Sequence, residues 1–429
     1  MLSTKTMSNR VLFTRALSSR SFALFWSGQT ISALGDGAFN TALAIEIYLL
    51  TGSTLAMGIF LTAQFIPGLI FTLIGGVVAD RFPRRLLLML VDGGRAIVVL
   101  TIACFAWLHW LQMWHLVILA VIFGFIRAFF NPAYYAIIPE TVEKEQLSSA
   151  NALAQLSIQM GSLLGPVLGA LFMVLAHNNA GPAFTFDGIT FVISVLSLLA
   201  IHTGSSRASE EPVLHGQLSL QKSRFSKMMQ DIGEGFHFVR GSTWLSWSII
   251  VPCICNAAYV SAIVVSLPKL IFGVYHGNTW ILASIAMAEG CGAIIGAIVV
   301  GQFHFRHRGV VAFLGYALGG IALLCFVLPL PLAWMPFVLL VAAFILGFGL
   351  SILQTIWVTL LHVLVPSDKL GRVSSVDLVG SIAFLPVGYL LGGWMGDRFG
   401  PVSVFLFAGL LITISNVIPL LVRGIRELE

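Results

Sequence analysis

Four ionisable residues stand inside otherwise apolar stretches, a placement suited to moving protons or holding cations rather than to making covalent bonds. Asp36 lies about 14 residues into the apolar run 22–50, and Glu46 follows in the same run. Arg127 lies about 10 residues from the later end of the run 114–137, and Glu289 interrupts the run 279–303. At about 1.5 Å per helical residue, Asp36 and Arg127 reach depths of roughly 21 and 15 Å, within the span of a long arginine. A charge at bilayer depth costs several kcal/mol unless paired or wetted, so each is a functional candidate by default. Burial favours the neutral form of a carboxyl, and a neighbouring guanidinium favours the charged form. Movement between those settings would let Asp36 take and release a proton with Arg127 as its partner. A static ion pair is the competing reading.

Glu46 and Glu289 would give an acidic wall suited to cationic, lipophilic molecules, or would be solvated at the mouth of a path. Asp187 reads as a helix cap or packing residue. Asp92 and Arg95, three apart on one helix face, read as a local pair.

Other chemistries are not encoded. The chain has no G-x4-G-K-[ST] phosphate loop, no His-Glu-x-x-His pair and no G-x-S-x-G elbow. Five cysteines (Cys104, Cys253, Cys255, Cys291 and Cys325) all fall in apolar stretches, and no disulfide, metal site or cofactor is expected. His304 and His307 read as solvated loop residues. The expectation is a protein that is not an enzyme.

The solvent for such a chain is lipid. Of 429 residues, 58% are hydrophobic and 10% charged, with a mean hydropathy of +0.96, too much apolar surface for water. Runs of about 20 apolar residues suffice to cross a bilayer, and the 42 glycines suit close packing of such helices. Twelve spans follow, at approximately 22–50, 54–79, 85–110, 114–137, 147–176 and 182–202, then 244–272, 279–303, 309–329, 333–364, 372–396 and 401–423. The basic N-terminal segment leads into a first span too long for a cleaved leader. Lys and Arg concentrate in 1–21, in the central loop, after even-numbered spans and in 424–429, which places both termini in the cytoplasm. The loop 203–243 ends in Phe225–Arg240, read as an amphipathic interfacial helix.

Two phrases recur half a chain apart. Ile138-Pro139 leads into Ser148-Ser149-Ala150-Asn151, as Val365-Pro366 leads into Ser374-Ser375-Val376-Asp377. Val77 to Asp80 before Arg84-Arg85 is echoed by Val299 to Gln302 before Arg306 and Arg308. The chain therefore reads as all-α, with six-helix bundles over 22–202 and 244–423 around a path between them.

The segment Gly76-Val-Val-Ala-Asp80-Arg81-Phe-Pro83-Arg84-Arg85 resembles the G-x3-D-R-x-G-R-R/K signature of the major facilitator superfamily, with Pro83 in place of the glycine. The resemblance implies a conformational latch of Gly76, Asp80, Arg81, Arg84 and Arg85. Its aspartate would meet the N-terminal end of span eleven near Gly371–Ser374, where the helix dipole favours a carboxylate. Gly161, Gly165, Pro166 and Gly169, with Ala170, resemble the G-x3-G-P-x2-G-G motif of exporting, proton-antiporting members, a packing face with a bend. Ser32–Asp36, Asp92–Arg95, Arg127–Ala133 and Ser148–Asn151 resemble the macrolide-efflux and enterobactin-exporter branch.

In that family spans one, four, seven and ten line the cavity, which implies Asn40, Asn131, Tyr134, Asn256, Tyr259, Gln354 and Trp357 as lining candidates. The resemblance implies a proton-coupled exporter of a drug or siderophore in the inner membrane, working as a monomer and binding no nucleic acid. A lysophospholipid or metabolite facilitator and a transport-inactive sensor are the alternatives.

Overall fold

The computed structural model describes residues 14–201, 233–303, 305–329, 331 and 333–428, without the side chains of Leu73, Asp80, Ser367 and Asp368. Helix α1 (Arg20–Thr51) starts where the Ser19 side chain accepts from the Phe22 N–H, and stops at Gly52, whose φ of 62° no longer continues a right-handed helix. Ser53 then caps α2 (Thr54–Arg81) by accepting from Ala56 N at 3.1 Å. There follow α3 (Arg84–Trp107), α4 (Met113–Arg127), α5 (Phe130–Thr141), α6 (Leu147–Leu175) and α7 (Gly181–Ala200). After α8 (233–240) come α9 (Thr243–Tyr259), α10 (Thr279–Gln302), α11 (Arg308–Cys325) and α12 (Met335–Leu364). The chain ends with α13 (Ser367–Ala383), α14 (Leu385–Arg398), α15 (Pro401–Val417) and the short α16 (Arg423–Arg426).

Eleven stretches among the described residues are long and apolar enough to cross a membrane. The first of the twelve expected spans falls on α1, which is not among those eleven although its 32 residues reach about 48 Å. Gln29, Asp36, Asn40 and Glu46 dilute its apolar character. Three spans depart from the single runs expected. Span four breaks into α4 and α5 at Ala128 and Phe129, because Pro132 cannot donate to, and sterically opposes, the carbonyl four residues back. Span eleven breaks the same way at Phe384, ahead of Pro386. Span seven widens from α9 into π-helix over Val260–Ser266 and Lys269–Val274, a geometry that recurs at functional sites.

The described residues form two compact units. One holds α1 to α7 with Gly277–Met287, and the other holds α8, α9 and the chain from Ala288 onward. Each uses the same internal pairing scheme. In the first, α1 packs on α6 and α7, α3 on α7, and α2 on α4. In the second, α9 packs on α14 and α15, and α11 on α15, while Gly292 and Gly296 bring α10 against α12. An apolar cluster at the start of α1 joins Phe22, Phe25, Leu88, Ile137, Ile138 and Leu153. Its counterpart in the second unit joins Val239, Leu245, Ile249, Leu361, Val365 and Val373.

Of the interfacial helix expected over 225–240, residues 233–240 are helical and 225–232 lie outside the described residues. Helix α8 is held on α13 by the Glu234–Arg372 ion pair at 2.7 Å and by Lys369 Nζ, 4.7 Å from the Phe238 ring centre. Gly235 lets the two helices approach.

Candidate functional site: a buried carboxylate and guanidinium cluster

Helix α3 carries Asp92 and Arg95 one turn apart on the face turned to α1 and α7. Arg95 is 2% exposed. Its Nη2 donates to Asp36 Oδ1 and Oδ2 at 2.9 and 2.8 Å, and its Nη1 to Asp92 Oδ1 at 3.4 Å. Asp92 Oδ2 accepts from Ser194 Oγ at 2.6 Å and from Gln29 Nε2 at 3.1 Å. The guanidinium carbon lies 4.1, 5.0 and 5.3 Å from the ring centres of Phe191, Phe130 and Phe123. Aromatic faces stabilise a cation where water cannot. This is a desolvated charge held by two anions and three rings.

Asp187 of α7 completes the cluster. It is fully buried, and Oδ1 meets Thr190 Oγ1 at 3.4 Å while Oδ2 has no hydrogen-bond partner. Gly35 lets α1 approach it, since a Cβ there would run into Thr190 Oγ1 and Asp187 Oδ1. Helix α7 begins at Gly181, well before Asp187, so Asp187 packs rather than caps.

The expected Asp36–Arg127 pair is corrected: the guanidinium bonded to Asp36 belongs to Arg95. Depth along the bilayer was compatible for both arginines, but depth says nothing of azimuth. Arg127 is the last residue of α4, exposed and next to the break that Pro132 imposes. Arg95 faces the seam of α1 and α7. The legible signal was the Asp92-x-x-Arg95 turn inside an apolar run, which forms the expected local pair and also joins a wider network with Asp36, Ser194 and Gln29.

The remaining acids are placed differently. Glu46 is partly exposed. Glu289 Oε1 accepts from Tyr259 Oη at 2.5 Å, joining α10 to α9, and the Tyr316 hydroxyl beside them is buried without a partner.

Around the α2–α3 turn, Arg85 donates from Nε and Nη2 to the carbonyls of Leu198 and Leu199 at 2.7 and 2.8 Å, capping α7. Arg84 pairs with Glu140 of α5. Arg81 is exposed, and a Cβ on Gly76 would meet nothing within 4 Å. The Asp80 side chain lies outside the described residues. Gly161, Gly165 and Gly169, with Pro166 inside α6, turn to α1 at Ala33, Gly37 and Ala38.

Of the lining candidates, Asn40, Asn131 and Gln354 are exposed. Asn256 donates to Ser381 O at 3.4 Å, and Trp357 Nε1 to Asp377 Oδ2 at 3.0 Å. Tyr134 departs from the expectation: it is 6% exposed and packs against Phe25 and Phe130 in the apolar cluster.

Comparison with known proteins bears on this arrangement. The family model for the Major Facilitator Superfamily matches residues 25–385. Macrolide efflux protein A of Streptococcus pyogenes is 24% identical over 411 residues, covering 95% of this chain and 97% of that protein. The enterobactin exporter EntS of Salmonella typhi is 24% identical over 403 residues, covering 94% and 92%. A bacterial homologue of the human lysosomal transporter Spinster, solved inward-facing and occupied, matches in fold with a TM-score of 0.67 at 13% identity over 93% of this chain and 95% of that one. The chain therefore belongs to the major facilitator superfamily: it is a multi-pass membrane protein, a secondary transporter of a small molecule with efflux proteins among its relatives, and not an enzyme.

Proposed function

We propose that the protein exports a hydrophobic or amphipathic small molecule, a drug or a siderophore, in exchange for protons across the inner membrane. Both termini face the cytoplasm, the bundles 22–202 and 244–423 move against each other, and one chain suffices. The observation that carries the reading is Asp36. Its side chain is 35% exposed while its partner Arg95 is 2% exposed, so the pair joins a carboxylate that protein leaves partly uncovered to a desolvated guanidinium. A proton arriving at Asp36 cancels its attraction for Arg95, and the cluster that ties α1 to α3 loosens. Charge state is thereby converted into helix position. Asp80, Arg81, Arg84 and Arg85 form the latch that closes the cytoplasmic side, and Glu46 and Glu289 offer further acidic contacts to cargo or proton. The relatives, named for macrolide efflux and enterobactin export, support the cargo class.

The test is uptake of a dye and drug panel into inverted vesicles under an imposed proton gradient, wild type beside Asp36→Asn. Gradient-driven accumulation that the variant loses is the expected result. Accumulation in wild type with no gradient at all overturns the proton reading and leaves a facilitator.

A further inference from the structure

The cluster sets three carboxyl groups against one guanidinium, and the three are unequally served. Asp92 accepts from Arg95, Ser194 and Gln29. Asp36 takes both bonds from Arg95 Nη2 and is left uncovered by protein over about a third of its side chain. Asp187 is fully buried and, among the described residues, has no cation bonded to it. One oxygen has a single long contact to Thr190, and the other has none. The charged groups that face it are Arg95 and Asp92 from α3 and Asp36 from α1. Helix α6, the other helix packed on α7, carries no ionisable residue.

An ionised Asp187 would put a third anion beside one shared cation, with an oxygen left bare inside the membrane. A neutral carboxyl there loses far less hydration. We infer that Asp187 is the proton-holding member of this cluster and that Asp36 is its point of exchange with water. The missing Cβ of Gly35 sets the Asp36 turn of α1 directly on Asp187. In the transfer step the O–H bond at Asp187 breaks and one forms at Asp36. Arg95 moves its bonds from Asp36 to the new anion at Asp187, and Asp36 then gives the proton to water. The charge of the cluster changes only when the proton leaves. This rests on the proton-coupled reading above.

The test uses full-length protein in two formats. In proteoliposomes, Asp187→Asn is expected to bind a fluorescent cargo as wild type does and to carry out cargo counterflow. It loses gradient-driven accumulation by roughly tenfold or more, which Asp187→Glu partly restores. In nanodiscs, infrared spectra of wild type show the carbonyl band of a protonated carboxyl that is absent in Asp187→Asn, shifted in Asp187→Glu and unchanged in Asp92→Asn. Full gradient-driven accumulation by Asp187→Asn overturns the inference, as does a carboxyl band that neither Asp187 variant alters. If wild type itself ignores the proton gradient, or follows sodium instead, the coupling reading fails, and the infrared result still decides where a proton sits.

Discussion

Tyr259 on α9 donates its hydroxyl hydrogen to Oε1 of Glu289 on α10 at 2.5 Å, and among the described residues this is the hydrogen bond that Glu289 receives. An acid in an apolar helix pair is thus tied to the start of the π-helical stretch of span seven rather than to a basic residue. Tyr259→Phe is expected to lower stability by about 1–3 kcal/mol, since it strips a partner from a buried carboxyl. Glu289→Gln keeps a hydrogen-bond acceptor without the charge and is expected to leave the melting temperature unchanged or higher. Thermal denaturation of the two variants in detergent checks the order, and a lower melting temperature for Glu289→Gln than for Tyr259→Phe sinks it.

Arg95 is a buried guanidinium shared by two carboxyl groups. Arg95→Ala leaves Asp36 and Asp92 unpaired and is expected to lose about 3–5 kcal/mol. Adding Asp92→Asn should return part of that loss, because one of the stranded charges is gone. A double variant no more stable than Arg95→Ala in the same melt would show that the two residues are not coupled.

Glycine at 165 is a steric requirement. A Cβ there would lie 2.5 Å from Gly37 Cα, so α1 and α6 cannot cross as they do with any larger residue. Gly165→Leu is expected to cost at least about 3 kcal/mol and to abolish a monodisperse peak in size-exclusion chromatography. Gly76→Leu, where nothing lies within 4 Å, should elute like wild type.

Arg84 and Arg85 are neighbours with unequal weight. Arg85 satisfies two terminal carbonyls of α7 and adds a positive charge at the negative end of that helix. Arg85→Ala is expected to cost about 1–3 kcal/mol. Arg84 pairs with Glu140 across side chains 38% and 26% exposed, and Arg84→Ala should cost no more than about 1 kcal/mol. Urea-induced unfolding in mixed micelles compares them directly, and equal losses would contradict the assignment.

Much of this protein is written in composition and local pattern. The apolar runs, the serine caps at Ser19 and Ser53 and the glycine stop at Gly52 are decided within one or two turns of chain. The signature from Gly76 to Arg85 is equally local, and so is the Gly161 to Gly169 face. Pro132 and Pro386 mark their helix breaks through the carbonyl four residues back, although the apolar runs of spans four and eleven continue through both.

What the sequence by itself determined is therefore the solvent, the apolar runs from which the spans are built and the membership in a transporter family, but not which charges are buried, since Arg127 is exposed while Asp92, Arg95 and Asp187 are buried. Which charges meet was decided by tertiary structure alone. Asp36, Asp92, Arg95 and Asp187 lie on three helices up to 151 residues apart in sequence (187 − 36). Their contact depends on the rotation of each helix about its axis and on glycine gaps such as Gly35, quantities that hydropathy averages away. Depth can be counted along a chain at 1.5 Å per residue. Azimuth between packed helices is set by how side chains interlock, so Arg95 and not Arg127 came to face Asp36.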